Sequence, residues 1–215
     1  MIPDLRALQT NFNSSDLHTG KILITADQIN FGYTSSCLWK SPLSIQVRSG
    51  DRIHITGNNG SGKTTLVKLL LGELKPAAGT ITWADFSYLY IDQECSVLDP
   101  GLTVFEQTER FNASHLAEHE LKSILNRCLF PYETWDKPCF CLSGGEKIRL
   151  LFCCLMIGNN APDVFILDEP TNNLDIQSVE IITAAIKSYR GTVLLISHDH
   201  YFVKEIKLRK VGITV

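Results

Sequence analysis

The segment G-N-N-G-S-G-K-T at 57–64 constrains this chain more than any other. It fits the pattern G-x-x-x-x-G-K-[ST], and its surroundings fit too. The alternating stretch Arg52–Thr56 reads as a strand ahead of it, and Thr64–Leu71, apolar at Leu66, Leu69 and Leu70, reads as a helix behind it. The chemistry follows from the residue types. Gly57, Gly60 and Gly62 permit backbone angles and close approaches that a Cβ would block. Successive amides through Gly57, Asn58, Asn59, Gly60, Ser61 and Gly62 can then form an anion nest at a helix N-terminus. Lys63 supplies a point charge for β- and γ-phosphates, the Thr64 hydroxyl can ligate Mg²⁺, and Thr65 completes the expected phosphate-binding set.

A strand–loop–helix of this kind belongs to an α/β layer, and the rest of the chain supplies one. Strands are expected at 21–25, 44–47, 52–56, 81–83, 88–91, 164–167 and 193–196. Ser44–Val47 and Arg52–Thr56 alternate as half-buried strands do. Val164–Leu167 and Val193–Ile196 are continuous apolar runs, the pattern of central strands covered on both faces. Between residues 100 and 158 the period becomes helical, with Leu121, Ile124, Leu125 and Cys128 on one face and Ile148, Leu151, Phe152, Leu155 and Met156 on another. A further helix is expected at Ile176–Ser188. This order describes an α/β layer with a helical subdomain inserted near its middle. Residues 1–20 read as a leader, with loop chemistry at 11–16.

Composition narrows the class. A chain of 215 residues that is 44% hydrophobic suits one domain with a core that needs neither disulfides nor structural metal. The balance of 20 basic against 23 acidic residues, a formal charge of −3, leaves no overall electrostatic footprint for nucleic acid. The N-terminus lacks the cationic start and apolar run of a signal peptide, and the longest apolar run, Leu150–Ile157, is far shorter than the ~20 residues of a membrane span. Seven cysteines, an odd number with no C-x-x-C pair, read as reduced packing residues of a cytoplasmic protein.

Two further segments carry chemistry. V-F-I-L-D-E at 164–169 ends a buried strand in two acids, where the crevice of an α/β sheet lies. Asp168 suits the metal, and Glu169 suits the attacking water as general base. In C-L-S-G-G-E-K at 141–147, Ser143 and Glu146 form a capping box. Gly144 and Gly145 cost roughly 1 kcal/mol each within a helix, more than capping explains, and they expose amides that make a second phosphate site.

Taken in order, the loop at 57–64, Gln93 after Tyr88–Ile91, L-S-G-G-E at 142–146, D-E at 168–169, N-L-D at 173–175 and S-H-D at 197–199 resemble the nucleotide-binding domain of ABC ATPases, from about Lys21 to the C-terminus. The resemblance implies a P-loop core with an antiparallel β subdomain and a helical subdomain inserted at about 94–158. It implies that Tyr33 stacks on adenine, with Phe31 as rival. Gln93 would contact Mg²⁺ and the attacking water, and His198 the γ-phosphate. Ser143, Gly144, Gly145 and Glu146 would close on ATP held by an opposite domain, with Asp175 coupling the two sites. Glu146 is a departure, since transporters usually carry Gln there. With L-S-G-G-E-K-I-R, D-E-P-T-N-N-L-D and S-H-D-H-Y-F, it makes the chain similar to ABC-F proteins, tandem ATPases that mostly act on ribosomes. N-R-C-L-F at 126–130 resembles their second domain, and residues 1–20 would then be the end of the inter-domain linker. The expected ligands are ATP and Mg²⁺, the expected partners a second ABC-type domain and the ribosome. The alternatives are the ATPase subunit of a membrane transporter and a nucleotide-dependent dimerisation module with negligible turnover.

Weaker features have plainer readings. His115 and His119 are at i, i+4 but lack the zincin pattern, so a solvated helix face is expected. Lys204, Lys207, Arg209 and Lys210 read as a solvated strand edge.

Overall fold

The computed structural model describes residues 20–32, 37–92, 95–158, 161–172 and 174–213. The elements, in order, are β1 (Ile22–Asn30), β2 (Leu43–Arg48), β3 (Arg52–Thr56), α1 (Lys63–Leu70), β4 (Ala78–Trp83), β5 (Tyr88–Ile91), α2 (Val104–Arg110), α3 (Glu118–Arg127), α4 (Gly144–Gly158), β6 (Val164–Asp168), α5 (Ile176–Ser188), β7 (Thr192–Ile196), α6 (His200–Ile206) and β8 (Arg209–Gly212). They form two sheets, an antiparallel one ordered β2-β1-β4 and a parallel one ordered β5-β6-β7-β3-β8.

The parallel sheet is covered on both faces, and its strands divide their side chains between two cores. Val164, Ile166, Leu194 and Ile196 pack with α1 and the antiparallel sheet. Phe165, Leu167, Val193 and Leu195 pack with α4, α5 and α6. This is the arrangement that the two continuous apolar runs require. Between β5 and β6 the named elements are helical, and α4 is buried nearly all round, including Leu150, Cys153, Cys154 and Ile157 outside the expected face. Met156, expected on that face, is only partly buried.

Helix starts are chemically explicit. Thr103 and Glu106 cap α2 reciprocally, at 3.2 Å and 2.8 Å. Asp175 caps α5 through the Ser178 amide at 2.8 Å, and Asp199 caps α6 through the amides of Tyr201 and Phe202 at 2.9 Å and 3.0 Å. The acid of S-H-D therefore starts a helix.

One expectation fails at β3. Its alternation predicts a half-buried strand, but Ile53, His54 and Ile55 are all buried, because β3 lies between β7 and β8. The polar residue His54 faces α6 rather than solvent. The readings of the weak features hold only in part. Arg209 and Lys210 are exposed on the edge strand β8, but Lys204 lies on α6 and Lys207 follows that helix. His115 and His119 are both exposed, yet only His119 is on α3, and His115 precedes it with a backbone φ of 52°. No metal-binding cluster of three or more His, Cys, Asp or Glu occurs among the described residues. Five of the cysteines are buried and none is paired. Burial, then the charge of Asp92, pushes the Cys95 thiol up to about 12. No helix among the described residues is long and apolar enough to cross a membrane.

Candidate functional site

The loop between β3 and α1 wraps an open cleft of about 420 Å³ lined by Asn59, Gly60, Gly62, Lys63, Thr64, Thr65, Leu38, Asp168, Glu169 and Ile196. Its contributions come from the carboxyl ends of β3, β6 and β7, where a parallel sheet opens a crevice. At two of its glycines a Cβ would crowd the loop. A Cβ on Gly57 would lie 2.4 Å from Ser61 Oγ, and one on Gly62, at φ 86°, would lie 2.5 Å from Leu38. Lys63 Nζ folds over the loop, donating to the carbonyls of Gly57 at 2.9 Å and Asn58 at 3.1 Å. The loop is braced from below by Trp39, fully buried, whose indole N–H donates to the Ser61 carbonyl at 2.9 Å.

The acids after β6 meet this loop. Asp168 Oδ2 accepts from Thr64 Oγ1 at 3.1 Å and from the Tyr90 hydroxyl at 3.0 Å. Burial and the Asp168 charge raise the Tyr90 pKa, so the phenol remains a donor. Glu169 adopts φ 52°, a left-handed conformation that costs a non-glycine residue about 1–3 kcal/mol. Its amide donates to the Ile196 carbonyl at 2.8 Å. Its buried carboxylate accepts from the His198 amide at 3.2 Å and lies 3.5 Å from His198 Nε2. The strained backbone thus aims the carboxylate across the sheet at the loop after β7.

The signature segment, L-S-G-G-E at 142–146, forms a second cluster. Ser143 and Glu146 make the expected capping box at the start of α4, at 2.7 Å and 3.3 Å. Partial burial works to raise the Glu146 pKa, but the bonds to Ser143 and the neighbouring Lys137 hold it below the ordinary carboxylate value. A Cβ on Gly144 would meet nothing within 4 Å, whereas one on Gly145 would lie 3.0 Å from Leu174. Arg149, buried on α4, donates to Ser178 Oγ at 3.0 Å and stands 3.9 Å from Asp175. The signature helix is therefore joined to Asp175 within the chain, and none of Ser143–Glu146 lines the cleft at the P-loop.

The sequence-predicted residues Tyr33 and Gln93 lie outside the described residues. Sequence reasoning missed Trp39, Tyr90, Arg149 and His54. An arginine inside the apolar period of α4 and a histidine inside β3 were the available signals.

The profile of the family described as ABC transporter matches residues 41–172. The chain is 38% identical over 198 residues to ABC transporter F family member 5 of Arabidopsis thaliana, a match that covers 91% of this chain and 28% of that protein. It is 38% identical over 186 residues to the probable ATP-binding protein YbiT of Escherichia coli O157:H7, covering 85% of this chain and 34% of that one. Among solved structures, it is similar to a chain from the complex of archaeal ribosomal stalk protein aP1 and archaeal ribosome recycling factor aABCE1. The TM-score is 0.71 at 26% identity, covering 93% of this chain and 38% of that one. The chain spans about a third of the length of these curated relatives.

Proposed function

Because this chain belongs to the ABC transporter family of ATP-binding domains, we propose that it binds Mg-ATP along Gly57–Thr65 and hydrolyses the bond between the β- and γ-phosphates. The observation that carries this reading is the convergence of Lys63, Thr64, Asp168 and Glu169 on one cleft, with His198 against Glu169. Loop amides and the Lys63 ammonium take the phosphate charge. Glu169 orients the attacking water and accepts its proton as the water oxygen bonds to the γ-phosphorus and ADP leaves. His198 holds the Glu169 carboxylate and contacts the γ-phosphate.

The residues present fit Mg²⁺ held beside phosphates. Thr64 Oγ1 and Asp168 meet on the cleft wall, and no cluster of three acidic or metal-ligating side chains occurs among the described residues. Mg²⁺ keeps several waters and takes few protein ligands. Thr64, Asp168 and Gln93 would hold it. When bound, it would supply charge neutralisation on the phosphate oxygens.

In this reading Lys21 to the C-terminus is the ABC-type domain, with 94–158 as its helical subdomain and Tyr33 on the adenine. The segment Ser143–Glu146 serves ATP bound by a second such domain, with Asp175 on the coupling loop. The likeness to a chain from a complex with an archaeal ribosome recycling factor supports a ribosomal partner. The test is phosphate release from Mg-ATP by wild-type protein and by Glu169→Gln. The variant should still bind ATP while hydrolysis slows by roughly 10²-fold or more, as loss of a general base does. Loss of ATP binding in Glu169→Gln would show that Glu169 is not the general base.

A further inference from the structure

His54 is the polar residue in the middle of β3, and its side chain is 6% exposed. In the parallel register it stands beside Leu195 of β7 and Lys210 of β8, on the face covered by α6. Its Nε2 lies 2.9 Å from the carbonyl oxygen of Ser197, the first residue after β7 and the one before His198. A carbonyl can only accept, so Nε2 carries the proton and Nδ1 the lone pair. Nδ1 is buried with no partner. An apolar side chain at this register would fill the space without leaving a buried nitrogen unpaired. The chain keeps the histidine, and the one bond it gains is to the backbone that carries His198.

We propose that His54 is a positioning residue: its Nε2–H clamps the Ser197 carbonyl and so fixes the His198 amide and imidazole against Glu169. The connection is continuous, from His54 to the Ser197 carbonyl, through one peptide to the His198 amide, and on to Glu169 Oε2 at 3.2 Å. His54 touches no substrate in this arrangement and acts through His198. Its environment keeps it in the form the clamp needs. Burial lowers its pKa, the Ser197 bond and Glu169 act against this, and Lys210 and His198 add to the lowering. The neutral imidazole is therefore the resident state. The proposal rests on the reading of Glu169 and His198 as hydrolytic groups.

The variants are His54→Leu, which removes the donor, and His54→Gln, whose side-chain amide can place an N–H near the position of Nε2. ATP turnover and hydrogen exchange of the His198 amide are measured on the full chain. For His54→Leu, kcat should fall about tenfold, the effect of one ordinary hydrogen bond, while KM for ATP stays within about twofold. His54→Gln should recover most of that loss. In a His198→Ala background, His54→Leu should have less than about a twofold further effect, because the group it positions is gone. The His198 amide should exchange about tenfold faster in His54→Leu and near the wild-type rate in His54→Gln. Equal losses of kcat in the two backgrounds, or an unchanged exchange rate in His54→Leu, would overturn the proposal. If the wild-type chain turns over no ATP, the hydrolytic reading falls, and the exchange rates still decide whether His54 holds His198.

Discussion

Gly62 and Gly60 allow the packing beneath the P-loop to be weighed against backbone strain. Both have left-handed backbones, at φ 86° and 80°. Alanine at either position should carry a left-handed cost of about 1–2 kcal/mol. The two differ in what a Cβ meets. At Gly60 nothing lies within 4 Å, whereas at Gly62 the Cβ would lie 2.5 Å from Leu38 Cδ2 and 3.0 Å from Trp39 Nε1. Leu38 can rotate away, but the Trp39 indole is buried and held to the Ser61 carbonyl at 2.9 Å. Overpacking of this kind costs about 1–3 kcal/mol. The change in unfolded-chain entropy is the same for both substitutions and cancels in the comparison. Gly62→Ala should therefore be less stable than Gly60→Ala by about 1–3 kcal/mol, or roughly 2–12 °C in Tm for a chain of this size. Urea unfolding of both variants without nucleotide gives the difference directly. If the two lie within about 0.5 kcal/mol of each other, Trp39 does not brace the loop and its bond to Ser61 is incidental.

Other expectations follow from the same geometry. Lys63→Ala should abolish ATP-induced stabilisation and turnover while leaving the loop glycines in place, checked by calorimetric titration and phosphate release; near wild-type turnover would remove the P-loop assignment. Because no signature residue lines the cleft, mixing Lys63→Ala with Ser143→Arg chains should restore activity in mixed dimers, whereas two inactive variants that stay inactive together would refute a site shared between copies. His54 gives a pH dependence whose sign is fixed. Its folded pKa lies below the ordinary 6.5, so on acidification the unfolded chain takes up the proton first and stability is lost from pH 6.5 down toward the folded value. Lys210, Glu169 and His198 act on it electrostatically, and Lys63 and His200 line the same cavity. Stability of the wild type relative to His54→Gln should accordingly decline through this range in denaturant titrations. A difference independent of pH would show that His54 is not held neutral.

The sequence by itself determined every feature that depends on local spacing. The loop glycines, the apolar runs of β6 and β7, the cap at Ser143 and Glu146, and the helical period of α4 involve residues within a turn or a pleat of one another, where side-chain periodicity and backbone sterics act directly. Tertiary structure alone decided what stands opposite these segments. Thr64 and Asp168 are 104 residues apart, and His54 and Ser197 are 143 apart. Their pairing depends on strand order β6-β7-β3, which no local pattern encodes. The same order buries β3 on both faces, so the alternation that suggested a solvent-facing side instead placed a histidine against α6. Arg149 reads locally as an interruption of an apolar face, and only the packing of α4 on α5 gives it Ser178 and Asp175 as neighbours. The left-handed turn at Glu169 is likewise invisible in D-E, because it is held from outside by the Ile196 carbonyl and the His198 amide.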